Sequence, residues 1–243
     1  MESYKPVMSF DEERARKDVD FRRGDEPEAV EFLAGIAGGG PALELGIGTG
    51  RIALPLAERG IRVDGVDLST AMLEQLRARP GGERLSVTVG DLADVAVPGA
   101  YRLIYVVFNT FFNLLTQDDQ VRCFRNVASH LTQDGVFVME TYTPAFLYRL
   151  RNDQYVDAES IQVDEVRIDV LRHDAATQVI EENHVSLSLE GIRLNPVVQR
   201  YAWPSELDLM AQIAGLRLKE RCAGWTREPF NSASDTHVSM YGR

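Results

Sequence analysis

Cysteine, basic residues and long apolar runs are all scarce in this sequence, and each shortage excludes a class of protein. Only two cysteines, Cys123 and Cys222, occur among 243 residues; their separation excludes a disulfide scaffold or a zinc ribbon and favours two buried thiols in a reducing compartment. Lys and Arg number 26 against 37 Asp and Glu, a net charge of −11, which argues against a nucleic-acid partner. The longest uncharged stretch, residues 103–117, is too short to span a bilayer, and the N-terminus has no apolar signal-peptide core. We therefore predict a soluble cytoplasmic protein without a membrane or nucleic-acid partner.

The residues that are present indicate an α/β protein. Hydrophobic residues make up 44% of the chain and charged residues 26%, which is ordinary globular usage. Short apolar segments alternate with amphipathic ones, and this alternation predicts a parallel sheet covered by helices on both faces. The predicted strands are residues 41–46, 61–67, 85–89, 102–108 and 136–141. The predicted helices are residues 26–37, 51–59, 70–79 and 116–131.

A different pattern follows the fifth predicted strand. Residues 161–171, 178–189 and 192–203 alternate apolar and polar side chains, which predicts an antiparallel meander. After a helix over residues 204–214, two further strands at residues 216–223 and 237–241 are expected to form an antiparallel edge of the main sheet. The predicted fold class is a doubly wound, mainly parallel, Rossmann-like sheet with an inserted meander, in a single domain over residues 1–243.

A glycine-rich loop is the most informative segment of the sequence. Gly46, Gly48 and Gly50 lie between the first strand and the next helix, where glycine allows a positive φ and the close approach of a ligand. Asp67 ends the second strand about 20 residues further on, at the sheet edge where open α/β folds bind ligands and where a carboxylate accepts both hydroxyls of a ribose. This pattern predicts a cofactor that contains a nucleoside.

Two more acidic residues indicate which nucleoside it is. The loop departs from the dinucleotide pattern GxGxxG, since Arg51 occupies the last position. Glu44, just before the loop, would repel a pyrophosphate but suits a ligand that carries an ammonium and a sulfonium. Asp91, after the third strand, is placed to accept a hydrogen bond from the adenine amino group. With Asp67, these residues predict S-adenosylmethionine (SAM) and leave a nicotinamide oxidoreductase as an alternative.

Five motifs resemble those of the class I SAM-dependent methyltransferases. They are LELGIGTG (43–50), GVDLSTAML (65–73), VGDL (89–92), VVFNTFFNLL (106–115) and LTQDGVFVME (131–140). The segments FNTFF, LMAQIAGL and WTREPFNSASD further resemble a subgroup that acts on amines, the cypemycin-type peptide N-terminal and aminosugar N-methyltransferases. The resemblance implies a sheet whose last strand is antiparallel, and an inserted β cover over the acceptor site at residues 155–203.

The resemblance also implies the cofactor contacts. The methionine part of SAM would lie over the glycine loop, the ribose on Asp67, and the adenine beside the residues after the second and third strands. The predicted cofactor-binding residues are Glu44, Gly46, Gly48, Gly50, Asp67, Leu68, Met72, Asp91, Leu92 and Phe108. The product would be S-adenosylhomocysteine (SAH), and residues 1–25 would form an N-terminal arm or lid over the cofactor.

The acceptor chemistry follows from in-line displacement at carbon, in which the protein mainly positions the attacking lone pair about 3 Å from the methyl group. A neutral amine needs only prior deprotonation, whereas a hydroxyl needs a nearby base. The sequence has no His or carboxylate cluster at metal-ligand spacing, so no metal is predicted. Asn109 and Tyr142 are the predicted catalytic residues. The predicted acceptor-binding residues are Tyr4, Phe112, His184, Tyr201, Trp225 and Arg227.

The predicted activity is methyl transfer to an amine of a small metabolite or of a peptide N-terminus. Two alternatives stay open at this point: O-methylation of a natural-product hydroxyl or carboxylate, and SAM binding without transfer. The sequence does not distinguish a monomer from a homodimer.

Overall fold

The computed structural model describes residues 9–10, 12–19, 23–94 and 97–243. The helices are α1 (Glu12–Asp18), α2 (Glu26–Ala37), α3 (Ala53–Glu58), α4 (Thr70–Ala78), α5 (Gln117–His130) and α6 (Pro204–Ile213). The strands, numbered in chain order, are β1 (Ala42–Leu45), β2 (Val63–Asp67), β3 (Ser86–Val89), β4 (Tyr101–Val106), β5 (Leu131–Tyr142), β6 (Gln154–Ile161), β7 (Glu165–Asp174), β8 (Val179–Ser188), β9 (Gly191–Arg200), β10 (Arg217–Cys222) and β11 (Thr236–Gly242).

The strands form two sheets. Seven of them are arranged in the order β10-β11-β5-β4-β1-β2-β3, and the other four form the meander β6-β7-β8-β9. The strands β1 to β5 pair in parallel, while β11 is antiparallel to both β5 and β10. The predicted fold class is confirmed. The order reverses between β1 and β4, and open α/β sheets bind ligands at the carboxyl ends of the strands at such a switch point.

Alternate residues of the central strands pack into two hydrophobic cores, one on each face of the seven-stranded sheet. In β4, Leu103 and Tyr105 pack with α2 and α3, whereas Ile104 and Val106 pack with α5 and α6. This alternation follows from the two-residue period of a strand. Both faces of the sheet are therefore covered, which leaves the carboxyl edge as the open side.

Helix α5 has the predicted N-cap and apolar stripe. The Thr116 side chain accepts a hydrogen bond from the Asp119 N–H, and Phe124 and Val127 are buried. Cys123 lies in the same stripe, and both Cys123 and Cys222 are free and buried. The prediction of two buried thiols is confirmed.

The start of β5 and the number of strands in the meander differ from the prediction. The predicted strand begins at residue 136, just after Asp134 and Gly135, which are typical turn residues, whereas β5 begins at Leu131 and runs through both of them. Gly135 is needed there because a Cβ atom would lie 2.9 Å from the Tyr101 carbonyl oxygen. The meander also has a fourth strand, β6, whose residues are mostly exposed. Pairing with β7 rather than burial holds that strand, so the sequence carries little apolar alternation to reveal it.

The meander is attached to the main sheet through a buried arginine and an apolar contact. Arg200 donates to the Gln120 Oε1 of α5 at 2.6 Å and pairs with Glu206 of α6 at 2.9 Å. Leu171 and Ile180 extend the core that contains α5. Among the described residues, none of the helices combines the length and apolar character that crossing a bilayer requires.

Candidate active site

The glycine loop is fastened to β2 by its own backbone. The N–H groups of Gly46 and Ile47 both donate to the Val66 carbonyl, at 2.8 and 3.0 Å. Gly46 has a φ of 76°, and a Cβ atom there would lie 2.4 Å from Thr110. Gly48 has a φ of 52°, and a Cβ atom there would meet nothing within 4 Å. The loop therefore presents bare backbone to an open space, which is the arrangement needed for close approach of a ligand.

That space is a cleft of about 850 Å³, counting the part open to solvent, at the carboxyl ends of β1, β2 and β4. It lies at the switch point of the sheet. Its lining residues are Phe10, Glu44, Gly46, Ile47, Gly48, Thr49, Arg51, Ile52, Asp67, Leu68, Ser69, Met72, Leu92, Val107, Phe108, Thr110 and Asn113. Eight of the ten predicted cofactor-binding residues are among them.

Asp67 is held in a fixed orientation at the end of β2. Its Oδ2 accepts the Gly48 N–H at 2.8 Å, and its Oδ1 accepts the Ser69 N–H at 2.8 Å. A carboxylate has about four acceptor positions, which is more than these two N–H groups occupy. The arrangement suits the two neighbouring hydroxyls of a ribose.

Glu44 is a buried carboxyl beside the cleft. Its Oε2 accepts the Tyr105 hydroxyl at 3.0 Å. Burial raises the pKa of Glu44 to about 8, although the hydrogen bond from Tyr105 and the charge of Arg51 lower it. A positively charged ligand would stabilise the ionised form. The cleft thus combines a buried acid and bare backbone, which fits a ligand with an ammonium group better than one with a pyrophosphate.

An apolar wall faces this polar corner. Leu68, Met72 and Leu92 line the cleft. Asp91 is not among the lining residues, because its Oδ1 turns back to accept the Ala93 N–H at 2.9 Å. The structure therefore does not bring Asp91 into the cleft.

Gly50 serves packing instead of ligand approach. A Cβ atom on Gly50 would lie 2.3 Å from the Leu76 side chain and 3.1 Å from that of Leu54. The third glycine of the loop lets α3 and α4 approach each other, and it does not line the cleft.

Two consecutive residues after β4 have left-handed backbones. Phe108 has a φ of 56° and Asn109 a φ of 61°, which costs on the order of 1–3 kcal/mol for each residue. The Phe108 N–H donates to the Glu140 Oε2 at 2.8 Å, and the Asn109 N–H donates to the Glu140 carbonyl at 3.3 Å. The Asn109 Oδ1 accepts the Tyr142 N–H at 2.7 Å. Asn109 is thus turned toward β5, while Phe108 lines the cleft.

The described parts of the N-terminal segment attach on two sides of the cleft. Phe10 lines the cleft, and its carbonyl accepts the Ser69 hydroxyl at 2.6 Å. On the other side, Arg23 pairs with Glu140 at 2.8 Å and lies 4.7 Å above the Phe108 ring. Tyr4 lies outside the described residues, so its predicted role has no structural account.

Sequence reasoning missed Glu140 and Arg23, although Glu140 could have been found. Glu140 lies near the carboxyl end of β5, where parallel strands present ligand-facing groups. It is also the last residue of the motif LTQDGVFVME (131–140). Arg23 comes from a polar segment without periodicity and gave no such signal.

The predicted catalytic residue Tyr142 ends β5, and the predicted acceptor residues His184 and Tyr201 lie in or just after the meander. The Tyr142 ring packs on Phe112 with centroids 4.9 Å apart, and its hydroxyl oxygen is buried without a hydrogen-bond partner among the described residues. His184 pairs through Nδ1 with the Asp169 Oδ1 at 2.7 Å. The Tyr201 hydroxyl is hydrogen-bonded to the His173 Nε2 at 3.0 Å. This hydroxyl is therefore already used in a contact within the protein.

Trp225 and Arg227 lie elsewhere. The Trp225 ring packs edge-on against Phe32 of α2 at 5.4 Å. The Arg227 guanidinium lies 4.7 Å above the same ring and pairs with Glu220 at 2.5 Å. Neither residue lines the cleft, because their loop folds back onto α2 and not toward the meander.

One cluster could not be seen in the sequence at all. Ligand atoms of Glu159, Asp169 and His184 lie within 4.8 Å of one another. They come from β6, β7 and β8, so their sequence separations have no metal-ligand spacing, and only strand pairing brings them together.

Comparison with known proteins gives the family. Residues 42–135 match a family model described as a methyltransferase domain. The chain is 38% identical to the CcbJ methyltransferase from Streptomyces caelestis, over 94% of this chain and 95% of that one, with a TM-score of 0.88. The chain belongs to the class I SAM-dependent methyltransferases. The methyltransferase is also 27% identical to the cypemycin N-terminal methyltransferase of a Streptomyces species, over 81% of this chain and 80% of that protein.

A more distant likeness concerns the fold alone. The methyltransferase has a TM-score of 0.68 and 20% identity to CalS10, an amino pentose methyltransferase from Micromonospora echinaspora, over 99% of this chain and 98% of that one.

The cofactor of this methyltransferase is SAM. When bound, SAM supplies an electrophilic methyl group attached to a positively charged sulfur. The buried carboxyl of Glu44 and the bare backbone of Gly48 fit such a cation.

Proposed function

We propose that this methyltransferase transfers a methyl group to an amine, either of a small metabolite or of a peptide N-terminus. The observation that carries the proposal is the cleft wall formed after β4. Val107, Phe108, Thr110 and Asn113 line it, and no acid or base is among these four. An amine brings its own lone pair and needs no base at that wall, whereas a hydroxyl acceptor does.

The cypemycin N-terminal methyltransferase supports the same acceptor class. Its name states that it acts at an N-terminus, and the two proteins align over most of both chains. Methylation at nitrogen is therefore the chemistry that we infer for this chain.

The cofactor contacts are part of the proposal. Asp67 would accept the ribose hydroxyls, and Glu44 would face the methionine ammonium beside Gly46 and Gly48. The apolar wall of Leu68, Met72 and Leu92 would hold the adenine. Phe108 would contact the part of SAM next to the methyl group.

Two segments would complete the site. The N-terminal arm, residues 1–25, would act as a lid, since its described parts attach to Ser69 on one side of the cleft and to Glu140 on the other. Residues 155–203 would cover the acceptor, since Tyr142 next to the cleft also interacts electrostatically with Glu182 of the meander.

Methyl-labelled SAM tests the acceptor class. The enzyme would be incubated with alaninamide, glucosamine and short peptides, and with the neutral counterparts lactamide, glucose and simple phenols. We expect label in N-methyl products only, and much less of it with Asp67→Ala when SAM is supplied near the Kd of the parent protein. Label confined to ethers or esters would contradict the proposal. Binding of SAH without label in any acceptor would indicate a SAM-binding protein without transfer activity.

O-methylation is a second candidate because of one observation. The Asp169–His184 pair, with an Nδ1–Oδ1 distance of 2.7 Å, orients an imidazole as in a general base. A hydroxyl acceptor would need such a base within reach, and the same labelling experiment separates the two candidates.

A further inference from the structure

The chain turns where it leaves β4, and Glu140 of β5 holds this turn. Phe108 and Asn109 are consecutive residues with left-handed backbones. The Glu140 Oε2 accepts the Phe108 N–H at 2.8 Å, and the Glu140 carbonyl accepts the Asn109 N–H at 3.3 Å. Left-handed backbones of residues other than glycine persist only where the surrounding structure determines them. One residue, Glu140, thus supplies the acceptors for both N–H groups of the turn.

A third bond fastens the same turn to β5. The Asn109 Oδ1 accepts the Tyr142 N–H at 2.7 Å, so the Asn109 side chain is used within the protein. Of the two turn residues, Phe108 is the one that lines the cleft. The position of its ring therefore depends on a turn whose described bonds lead to the end of β5.

The Glu140 carboxylate has a second partner in the N-terminal segment. Arg23 donates from Nη1 to Oε2 at 3.0 Å and pairs through Nη2 with Oε1 at 2.8 Å, which is the two-point geometry of a specific arginine–carboxylate pair. Glu140 is buried, and the Arg23 guanidinium lies 4.7 Å from the centroid of the Phe108 ring. Glu140 therefore contacts the Phe108 backbone directly and also holds the cation that lies over its ring.

A second guanidinium lies over the same ring. The Arg51 guanidinium is 5.2 Å from the Phe108 centroid, and Arg51 pairs with Glu26 at 3.0 Å. The Glu26 carboxylate also accepts the backbone N–H groups of Arg23 and Gly24, at 2.8 and 2.9 Å. A guanidinium within about 6 Å of a ring centroid is attracted to the ring. Two cations, each held by a carboxylate, therefore restrict the Phe108 ring from the side opposite to its backbone bond.

We propose that Glu140 is a positioning residue for methyl transfer, which acts through Phe108 and does not touch the cofactor. Glu140 is not among the residues that line the cleft, so the turn is its connection to the reacting end. Methyl transfer depends on such positioning, because a misplacement of about 1 Å can cost roughly a hundredfold in rate. The inference rests on one part of the proposed function, the contact of Phe108 with the part of SAM next to the methyl group.

Two substitutions separate the bond to the turn from the bond to Arg23. The amide of a glutamine has one acceptor oxygen, which is enough for the Phe108 N–H once Arg23 has been removed. A leucine side chain has a similar size and no acceptor. The double variants Arg23→Ala/Glu140→Gln and Arg23→Ala/Glu140→Leu therefore both lack the ion pair and differ in the acceptor that they offer to Phe108.

Amide hydrogen exchange of the cofactor-free protein tests the hold on the turn. We expect the Phe108 N–H to exchange about tenfold faster or more in Arg23→Ala/Glu140→Leu than in Arg23→Ala/Glu140→Gln. The difference follows because only the glutamine can accept this hydrogen. Circular dichroism and thermal unfolding would verify that each variant is folded. If Glu140→Leu does not fold, Glu140→Asp takes its place, since a side chain one methylene shorter withdraws the acceptor from Phe108.

The NMR signal of SAM labelled with ¹³C at its methyl group tests the consequence for the site, with no acceptor present. A nearby aromatic ring displaces this signal, so Phe108→Leu gives its position without the ring. Arg23→Ala/Glu140→Gln should keep the signal of the parent, and Arg23→Ala/Glu140→Leu should move it toward that of Phe108→Leu. With alaninamide as acceptor, kcat should be about tenfold lower or more in the second double variant than in the first, while their SAH Kd values agree.

Three results would overturn the inference. The first is equal exchange of the Phe108 N–H in the two double variants, because Glu140 would then not hold the turn. The second is an equal methyl signal in the two double variants, or an unchanged signal in Phe108→Leu, because the turn would then not position the methyl end. The third is a loss of SAH affinity in Arg23→Ala/Glu140→Leu as large as its loss of kcat, which would assign the turn to cofactor binding.

The proposed function fails separately. If the parent methylates neither alaninamide nor glucosamine, transfer to nitrogen is refuted. The exchange rates and the methyl signals need no acceptor, so they still decide the role of Glu140.

Discussion

We predict that the buried carboxyl of Glu44 makes cofactor binding depend on pH. Its pKa is about 8 in the ligand-free protein, so the group is mostly protonated at pH 7. A nearby ammonium favours the ionised form and lowers this pKa, so that SAH binding releases a proton. Affinity should therefore rise as the pH is raised from 6 toward about 8.

The proton release can be measured by isothermal titration of SAH at pH 7 in two buffers of different ionisation enthalpy. We expect the apparent binding enthalpy to depend on the buffer for the parent protein and to lose most of that dependence in Glu44→Gln. An equal number of protons released by both proteins would show that Glu44 is not the group that titrates.

Asp67 supports the site in two ways, since it would accept the ribose hydroxyls and it orients the backbone of Gly48 and Ser69. Asp67→Ala should weaken SAH binding by about 1–3 kcal/mol, which is roughly fivefold to 150-fold. Glu74→Ala, on the exposed side of α4, is the control and should keep the parent Kd. An unchanged Kd in Asp67→Ala would remove the basis for the predicted ribose contact.

At the residue scale, the sequence allows a residue to be placed at the cleft where a strand end alone determines its position, while its contact with the cofactor stays a prediction. Glu44, Asp67 and the first two loop glycines line the cleft, because the carboxyl ends of adjacent parallel strands meet there. Gly50 and Asp91 do not, since spacing cannot distinguish a residue that faces a ligand from one that packs or caps a turn.

At the scale of elements, the Arg23–Glu140 pair fastens the N-terminal segment to β5. Glu140 is buried, and Arg23 is also stacked on Phe108. Arg23→Ala should therefore loosen this segment and speed the release of SAH about fivefold or more, as measured by stopped-flow displacement. Arg16→Ala, at an exposed position of α1, is the matched control. Equal dissociation rates for the two variants would mean that the segment does not retain the cofactor.

The limits of each element follow from how strongly its own residues specify it. Helix α2 has the predicted bounds because Pro27 suits its first turn and Gly38 adopts the left-handed C-cap. Strand β6 was missed because it buries almost nothing. The early start of β5 was missed because Asp134 and Gly135 are typical turn residues, yet here the glycine allows close contact between strands.

At the scale of the whole molecule, Arg200 joins the meander to α5 and α6. Arg200→Ala would leave Glu206 and Gln120 without their buried partner, so we expect a loss of about 3–5 kcal/mol in the free energy of unfolding. Urea denaturation measures it. Arg172→Ala removes an exposed pair on the meander and should cost less than about 1 kcal/mol. Similar losses in the two variants would contradict the role given to Arg200.

The sequence predicted the meander but not its position. Apolar alternation over residues 161–203 identifies strands, yet both faces of a meander look similar until one of them is packed. Burial of Leu171 and Ile180 against the α5 core decides which face turns inward. That choice turns Asp169 and His184 to the same face as Leu171 and Ile180, and no local pattern contains it.

The last residues of β5 illustrate how densely one strand end is used. Glu140 binds Arg23, Thr141 is bonded to His237 of β11 at 3.0 Å, and Tyr142 reaches the meander. Inserting or deleting one residue within this strand would turn all three side chains to the opposite side at once. Chimeric enzymes made to accept new substrates should therefore have their crossover points in the meander turns. They should take the whole of β5 from one parent.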